Sequence, residues 1–231
     1  MKKAVILISG GADSATVLAI ALSLGYELHA VSFQYGQRHK IELEMAQRIT
    51  YGRVASHRII ELDYSCFASS ALVNKNIDVA KYSHVSEIED EIPSTYVPAR
   101  NNLFLSYALS LAESIGAYDI FIGVHASDFA QYPDCRPQFI AKFEELANVA
   151  TASAEKISIH APLIAMSKSE IIAQGLMLGV DYANTISCYD PNEEGASCGQ
   201  CLACQVRLQA FADNGMTDPA LTIGIASKAS L

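Results

Sequence analysis

What most limits the fold of this chain is the rhythm of its apolar residues. Short aliphatic runs of strand length alternate with amphipathic stretches of helix length, and the alternation starts at once. Ala4–Ser9 is a buried-strand candidate, Asp13–Leu24 a helix closed by Gly25, and Leu28–Phe33 a second strand. In Lys40–Tyr51, Ile41, Met45 and Ile49 recur at i, i+4 and i+8, which suits a helix packing one face, and Arg58–Asp63 reads as a third strand. Further on come an Asn102–Gly116 helix, an Asp119–Val124 strand, a Pro137–Ala152 helix and an Ile157–Ala161 strand. Ser167-Lys168-Ser169-Glu170 is a capping box, with Glu170 reaching back to Ser167, and predicts a helix to about Leu178. Such alternation predicts an α/β fold with a mostly parallel sheet covered on both faces. Ligands of such sheets bind beyond the carboxyl ends of the strands.

Hydrophobic residues make up 51% and charged residues 18% of the 231, so the chain can build a packed core. Residues 64–99 break the rhythm: they hold Asn74, Asn76, Pro93, Pro98 and the acidic run Glu87-Ile88-Glu89-Asp90-Glu91. This stretch reads either as a functional lid or as a solvated irregular excursion. The pattern divides the chain into residues 1–183, with 64–99 as a loop or insertion, and a C-terminal segment, 184–231.

The first aliphatic run, Ala4-Val5-Ile6-Leu7-Ile8, has five residues, whereas a membrane-spanning helix needs about 20. It also falls short of the roughly 7–15 residues of a signal-peptide core, and Gly10-Gly11 interrupts it. The expectation is a cytoplasmic protein that does not engage a membrane. A net charge of −9 disfavours nucleic acid as a partner, because an acidic surface repels phosphate backbones.

Ser9-Gly10-Gly11-Ala12-Asp13-Ser14 lies between a buried strand and a helix. Two glycines let the backbone turn tightly and keep side chains out of a ligand's way. Successive amide N–H groups at a helix N-terminus then cradle an anion. Ser9 and Ser14 add hydroxyls, and Asp13 is placed to help hold Mg²⁺. Neither G-x-x-x-x-G-K-[ST] nor G-x-G-x-x-G occurs. The order S-G-G-x-D-S after a strand instead resembles the PP-loop of ATP pyrophosphatases. That loop grips the β- and γ-phosphates as a leaving group while a substrate oxygen attacks the α-phosphorus. Pro162-Leu163, Lys168 and Glu170-Ile171 resemble the P-L…K-x-E-[IV] stretch of amide-forming PP-loop enzymes, whose lysine faces the phosphates. Read alone, Lys168 is an exposed lysine in a capped helix.

Cys188, Cys198, Cys201 and Cys204 follow C-x9-C-x2-C-x2-C, four cysteines within 17 positions. Two-residue gaps let neighbouring thiolates converge on one ion, and four sulfurs make the closed tetrahedral site typical of structural Zn²⁺. An iron–sulfur cluster is the rival, although the fourth ligand and its proline do not follow the bacterial pattern. Cys66 and Cys135 read as buried small residues.

Four more strings fall on the predicted ligand-facing rim. They are Tyr35-Gly36-Gln37-Arg38-His39, then Val97-Pro98-Ala99-Arg100-Asn101-Asn102, then Asp128 with Tyr132-Pro133-Asp134-Cys135-Arg136. Last comes the cysteine cluster running into a helix through Arg207 and Phe211. Singly, each is compatible with loop packing. Together and in this order they resemble the 7-cyano-7-deazaguanine synthase (QueC) family, from about Lys3 into the C-terminal segment. Ala99 stands where the family usually has Gly, and Ala130-Gln131 replace a usual Ser-Gly.

The resemblance implies a Rossmann-like sheet of the adenine nucleotide α-hydrolase (HUP) type with a small C-terminal zinc-binding segment. It implies a C–N-forming ligase of queuosine biosynthesis whose substrates are 7-carboxy-7-deazaguanine, ammonia and ATP. ATP converts the carboxylate to an acyl adenylate, and ammonia displaces AMP to give the amide. Activation of the amide oxygen by a second ATP and loss of that oxygen with AMP then leave the nitrile, preQ0. Both activations need the same pyrophosphate leaving group stabilised. By the same resemblance Ile8, Ser9, Gly10, Gly11, Ala12, Asp13, Ser14, Ala15, Thr16, Val17 and Leu18 form the nucleotide segment. Asp13, Ser14, Lys168 and Arg100 are the catalytic group, with Mg²⁺. Arg38, His39, Asp128, Asp134 and Arg136 recognise the substrate. One structural Zn²⁺ per chain sits on the four cysteines, and the assembly is a homodimer. The alternative is another PP-loop enzyme such as a tRNA thiolase, against which the acidic charge and the four-ligand spacing argue. A non-catalytic zinc-ribbon module leaves the long α/β pattern without purpose.

Overall fold

The computed structural model describes residues 1–38, 40–88, 91–128 and 132–220. His39 and the Ala130-Gln131 pair lie outside the described residues. In chain order the elements are β1 (Lys3–Leu7), α1 (Ala12–Ser23), β2 (Glu27–Gln34), α2 (Ile41–Thr50) and β3 (Ser56–Glu61). There follow α3 (Arg100–Ile115), β4 (Asp119–Phe121), α4 (Pro137–Ala150), β5 (Ser158–His160), α5 (Lys168–Met177) and α6 (Leu202–Asp213).

Side chains alternate across a strand, and here the two sets enter different cores. Val5 and Leu7 of β1 join Val31 and Phe33 of β2 under Leu105 of α3 and Phe143 of α4. Ala4 and Ile6 join Leu28 and Ala30 under Leu18 of α1, Ile49 of α2, Ile171 of α5 and Phe211 of α6. The five strands run parallel in the order β3-β2-β1-β4-β5, with Ile6 registered against both Ala30 and Phe121. The order reverses between β1 and β4. The crevice beyond the carboxyl ends of these two strands is where a sheet of this topology binds ligands.

The expected α/β architecture is the one observed, with differences at element ends. β4 stops at Phe121 rather than Val124, although Ile122 N still donates to His160 O at 2.9 Å. α3 begins at Arg100, two residues early. Its N-cap residue, Ala99, has a left-handed backbone (φ 52°) and no side-chain cap, and Asp134 from a distant segment supplies one, Oδ2 accepting from Asn101 N at 2.8 Å. Neither the strain of a left-handed alanine nor a cap borrowed from elsewhere is visible in local sequence.

Residues 64–99 are not a solvated excursion. Two 3₁₀ turns, Ser65–Phe67 and Val85–Glu87, punctuate them, and Phe67, Leu72 and Val97 are buried in the core shared with α3. Ala71 and Val79 pack with Met45 of α2 and three of the cysteines. Lys81 forms an antiparallel bridge with Cys201, and Tyr82 N donates to Gln200 O at 2.7 Å.

Two close fits hold the second layer. Gly175 lies inside α5, and a Cβ there would come within 1.9 Å of the Tyr182 hydroxyl, which is hydrogen-bonded to Thr16 Oγ1 at 2.7 Å. Arg207 of α6 is buried in a bidentate pair with Asp218, at 2.6 and 2.9 Å, and also donates to Thr185 Oγ1 and the Tyr182 carbonyl. Removing one partner of such a pair costs about 3–5 kcal/mol. Among the described residues no helix is long and apolar enough to cross a membrane.

Candidate active site

The first glycine of the bend follows directly from packing. Gly10 has φ +86°, and a Cβ on it would sit 2.2 Å from the Glu42 carbonyl, so α2 can approach the bend only over a glycine. Ser14 Oγ donates to Gly11 O at 3.1 Å and accepts from Ser9 N at 3.3 Å, while Ser9 Oγ accepts from Gly11 N at 3.3 Å. The bend is therefore tied to itself by its own hydroxyls. It delivers the chain into the first turn of α1, whose leading N–H groups have no intrahelical partners and favour an anion.

Asp13, in that first turn, meets Lys168 at the start of α5: the ammonium lies 2.5 and 2.7 Å from the two carboxylate oxygens. His125, which follows β4, places Nε2 3.7 Å from Asp13 and 3.5 Å from Asp128. Burial opposes ionisation of the Asp13 carboxyl, but Lys168 and His125 outweigh it and hold the group well below the usual carboxylate range. Burial pushes the Asp128 carboxyl up, against the pull of His125. Gly123 lies against the start of α1, where a Cβ would come to 3.4 Å from the backbone of Asp13 and Ser14.

These groups open on a cavity of about 440 Å³, within the size range of small-molecule sites. Its lining includes Ile8, Ser9, Gly11, Asp13, Ser14, Lys168, Arg100, Asp128 and Asp134 of the expected residues. Ala15, Val17 and Leu18 are instead core residues of α1, and Thr16 bonds to Tyr182. Arg38 spends its donors on the backbone: Nε on Ala71 O at 2.5 Å and Nη2 on the carbonyls of Asn74 and Ile77, with Nη1 3.5 Å from Asp190. It clasps residues 71–77 to the cysteine arm. Arg136 is exposed and precedes α4 as its N-cap residue.

Among the polar residues of the cavity, His125 and Glu42 escape a sequence reading, and Tyr35 is legible only as part of a rim string. His125 follows β4 at the rim; the signal was its place just past a predicted strand end. Glu42 projects from the first turn of α2, and burial pushes its carboxyl up to about 7, against the pull of the Arg100 charge. Tyr35 receives a hydrogen bond from Arg100 Nη1 at 3.1 Å. For Glu42, an acidic residue just after the Tyr35–His39 string was the available hint.

The cysteine cluster closes as its spacing predicts. The four Sγ atoms of Cys188, Cys198, Cys201 and Cys204 all lie within 4.8 Å of one another, a grouping that can hold a metal ion. Gly199, at φ +73°, makes the turn between Cys198 and Cys201. Backbone N–H groups donate to the sulfurs: Cys198 N to Cys188 at 3.2 Å, Cys201 N to Cys198 at 3.3 Å and Tyr189 N to Cys201 at 3.4 Å. Donors aimed at sulfur stabilise thiolate, so the set fits a bound cation. Asp190 fastens the arm outward, accepting from Lys81 Nζ at 2.7 Å. Ile186 fastens it inward, donating its N–H to Gly10 O at 3.0 Å.

Comparison with known proteins gives this site its relatives. Residues 3–215 match the family model described as queuosine biosynthesis protein QueC. A 7-cyano-7-deazaguanine synthase from Rickettsia felis is 60% identical over 220 residues, spanning 95% of this chain and 98% of that protein. One from Rickettsia akari is 56% identical over 223 residues, with 95% and 98% covered. Among solved structures, an NMN synthetase from Francisella tularensis overlays at a TM-score of 0.49 and 15% identity, covering 96% of this chain and 80% of its own. A family match across nearly the whole length, with relatives more than half identical over it, means that this chain belongs to the QueC family of queuosine biosynthesis proteins.

Proposed function

We infer that this chain carries out the ATP-dependent conversion of 7-carboxy-7-deazaguanine and ammonia to 7-cyano-7-deazaguanine, a C–N ligase reaction; its relatives are named 7-cyano-7-deazaguanine synthases. The observation that carries the reading is the Ser9–Ser14 bend facing Asp13 and Lys168 on the cavity, in a chain of this family. A carboxylate oxygen of the base attacks the α-phosphorus of ATP and pyrophosphate departs into the bend. Ammonia then adds to the acyl carbon, AMP leaves, and a proton is released. The amide oxygen attacks a second ATP in the same way, releasing pyrophosphate and one N–H proton to give an imidoyl adenylate. Loss of AMP and the remaining N–H proton forms the C≡N bond.

In this reading the backbone of the bend and the hydroxyls of Ser9 and Ser14 hold the departing pyrophosphate. Lys168 supplies positive charge there, and Arg100 supplies it beside Tyr35. Asp13 is the residue for Mg²⁺, which would neutralise phosphate charge when bound, and Lys168 releases its carboxylate on that exchange. Asp128 and Asp134 are assigned to the base side of the cavity. Cys188, Cys198, Cys201 and Cys204 hold one structural Zn²⁺ per chain, in a 184–231 segment appended to the 1–183 nucleotide domain. The enzyme is further proposed to be a cytoplasmic homodimer that acts on small molecules. Relatives named for nitrile synthesis leave a tRNA thiolase unfavoured. Incubation with ATP, Mg²⁺, ammonium and the carboxylated base, followed by mass spectrometry, should give the nitrile with AMP and pyrophosphate. Release of ADP and phosphate instead would overturn the mechanism.

A further inference from the structure

A second polar cluster, Glu42 with Arg100, lines the cavity and is only partly hydrogen-bonded. Glu42 reaches it from α2, and among the described residues nothing hydrogen-bonds its carboxylate. Arg100 reaches it from α3 with Nη1 on the Tyr35 hydroxyl, while its Nε is buried with no partner. Beside the guanidinium, Phe33 and Phe104 stack with centroids 3.9 Å apart and planes 4° apart. An unpaired acceptor pair and an unpaired donor next to flat aromatic surface ask for a planar ligand whose edge complements both.

Building on the function proposed above, we propose that Glu42 is the specificity residue that reads the deazaguanine ring. Its two oxygens accept the ring N1–H and the 2-amino N–H, and the Arg100 guanidinium, which lines the cavity, donates to the neighbouring ring carbonyl. A guanine-type edge presents two donors and then an acceptor, and this cluster presents two acceptors and a donor. An adenine edge places a ring-nitrogen lone pair next to its amino group and would set that lone pair against a carboxylate oxygen. The wall is thus matched to the base and mismatched to the nucleotide that shares the cavity. Burial, opposed by Arg100, pushes the Glu42 carboxyl up to about 7, and two N–H donors from the base favour its ionised form.

The test uses the full-length protein and the isosteric Glu42→Gln variant, with melting temperature as the folding control. KM for the carboxylated base should rise about 10–100-fold, the loss of a charged acceptor pair, while KM for ATP and the melting temperature stay put. Wild type should disfavour a base lacking the 2-amino group by a similar factor, and the variant should lose that preference. A rise in KM for ATP instead, or a preference that survives the substitution, overturns the proposal. Calorimetric binding of the carboxylated base without ATP separates this from the reaction itself. Should no nitrile form, weaker base binding by Glu42→Gln still upholds the contact, and equal binding refutes it.

Discussion

The phosphate end of the cavity and the cysteine arm are both tight clusters of reactive side chains, and they are built in opposite ways. At the phosphate end Asp13, Lys168 and His125 are paired with one another across three separate elements and open onto the cavity. In the arm the sulfurs sit largely buried within one short stretch of chain, covered by Met45, Ala71 and Val79 and met by backbone N–H groups. The first arrangement is made of partners that can be exchanged for a ligand's; the second leaves no open position. Substitutions at one should therefore act on turnover, and at the other on stability.

The largest effect is expected in the arm. Cys201→Ser, or extraction of the metal by a chelator, should cost more than about 4 kcal/mol and lower Tm by roughly 10 °C or more in thermal unfolding. A folded, unshifted but inactive Cys201→Ser protein would break the comparison, because the metal would then belong to the chemistry. Next, Asp13→Ala should slow nitrile formation about 10³-fold, some 4 kcal/mol in the barrier, with Tm moved by only a few degrees. A large loss of Tm there would mean that the ion pair is a stability device. Gly175→Ala sharpens the contrast as a control at a residue that neither lines the cavity nor belongs to the sulfur cluster. In an open helix the change is favourable by about 1 kcal/mol. Here the methyl meets the Tyr182 hydroxyl, and a net destabilisation of about 2 kcal/mol in denaturant titration is expected, with KM for ATP intact. The smallest effect is Ala99→Gly, which releases a left-handed alanine and should stabilise by about 1 kcal/mol.

What could be read ahead of the structure was local chemistry. The alternation of runs specified the sheet. The Ser167–Glu170 capping box is present in both directions, Ser167 N to Glu170 Oε2 at 2.7 Å and Glu170 N to Ser167 Oγ at 3.3 Å. The cysteine spacing converges because two-residue gaps admit little else. What stayed hidden depends on residues far apart in the chain. Residues 64–99 show no periodicity, because their buried residues (Phe67, Ala71, Leu72, Val79, Val97) are irregularly spaced and the rest of the hold comes from Arg38, from Asp190 through Lys81 and from the back of the cysteine arm. Asp134 reads as a rim carboxylate, yet in the folded chain it lines the cavity and also caps α3. His125 and Glu42 come to the cavity through a strand that ends early and a helix that docks on Gly10.

The two contrasted regions are not strangers. The N–H of Ile186, two residues before the first sulfur, holds the carbonyl of Gly10. Loosening the arm therefore slackens a fastening at the far end of the cavity, and a sample partly stripped of its ion should grip nucleotide more weakly at temperatures where it is still folded. On the proposed function, nucleotide affinity becomes a gauge of how fully the cysteine arm is loaded with metal.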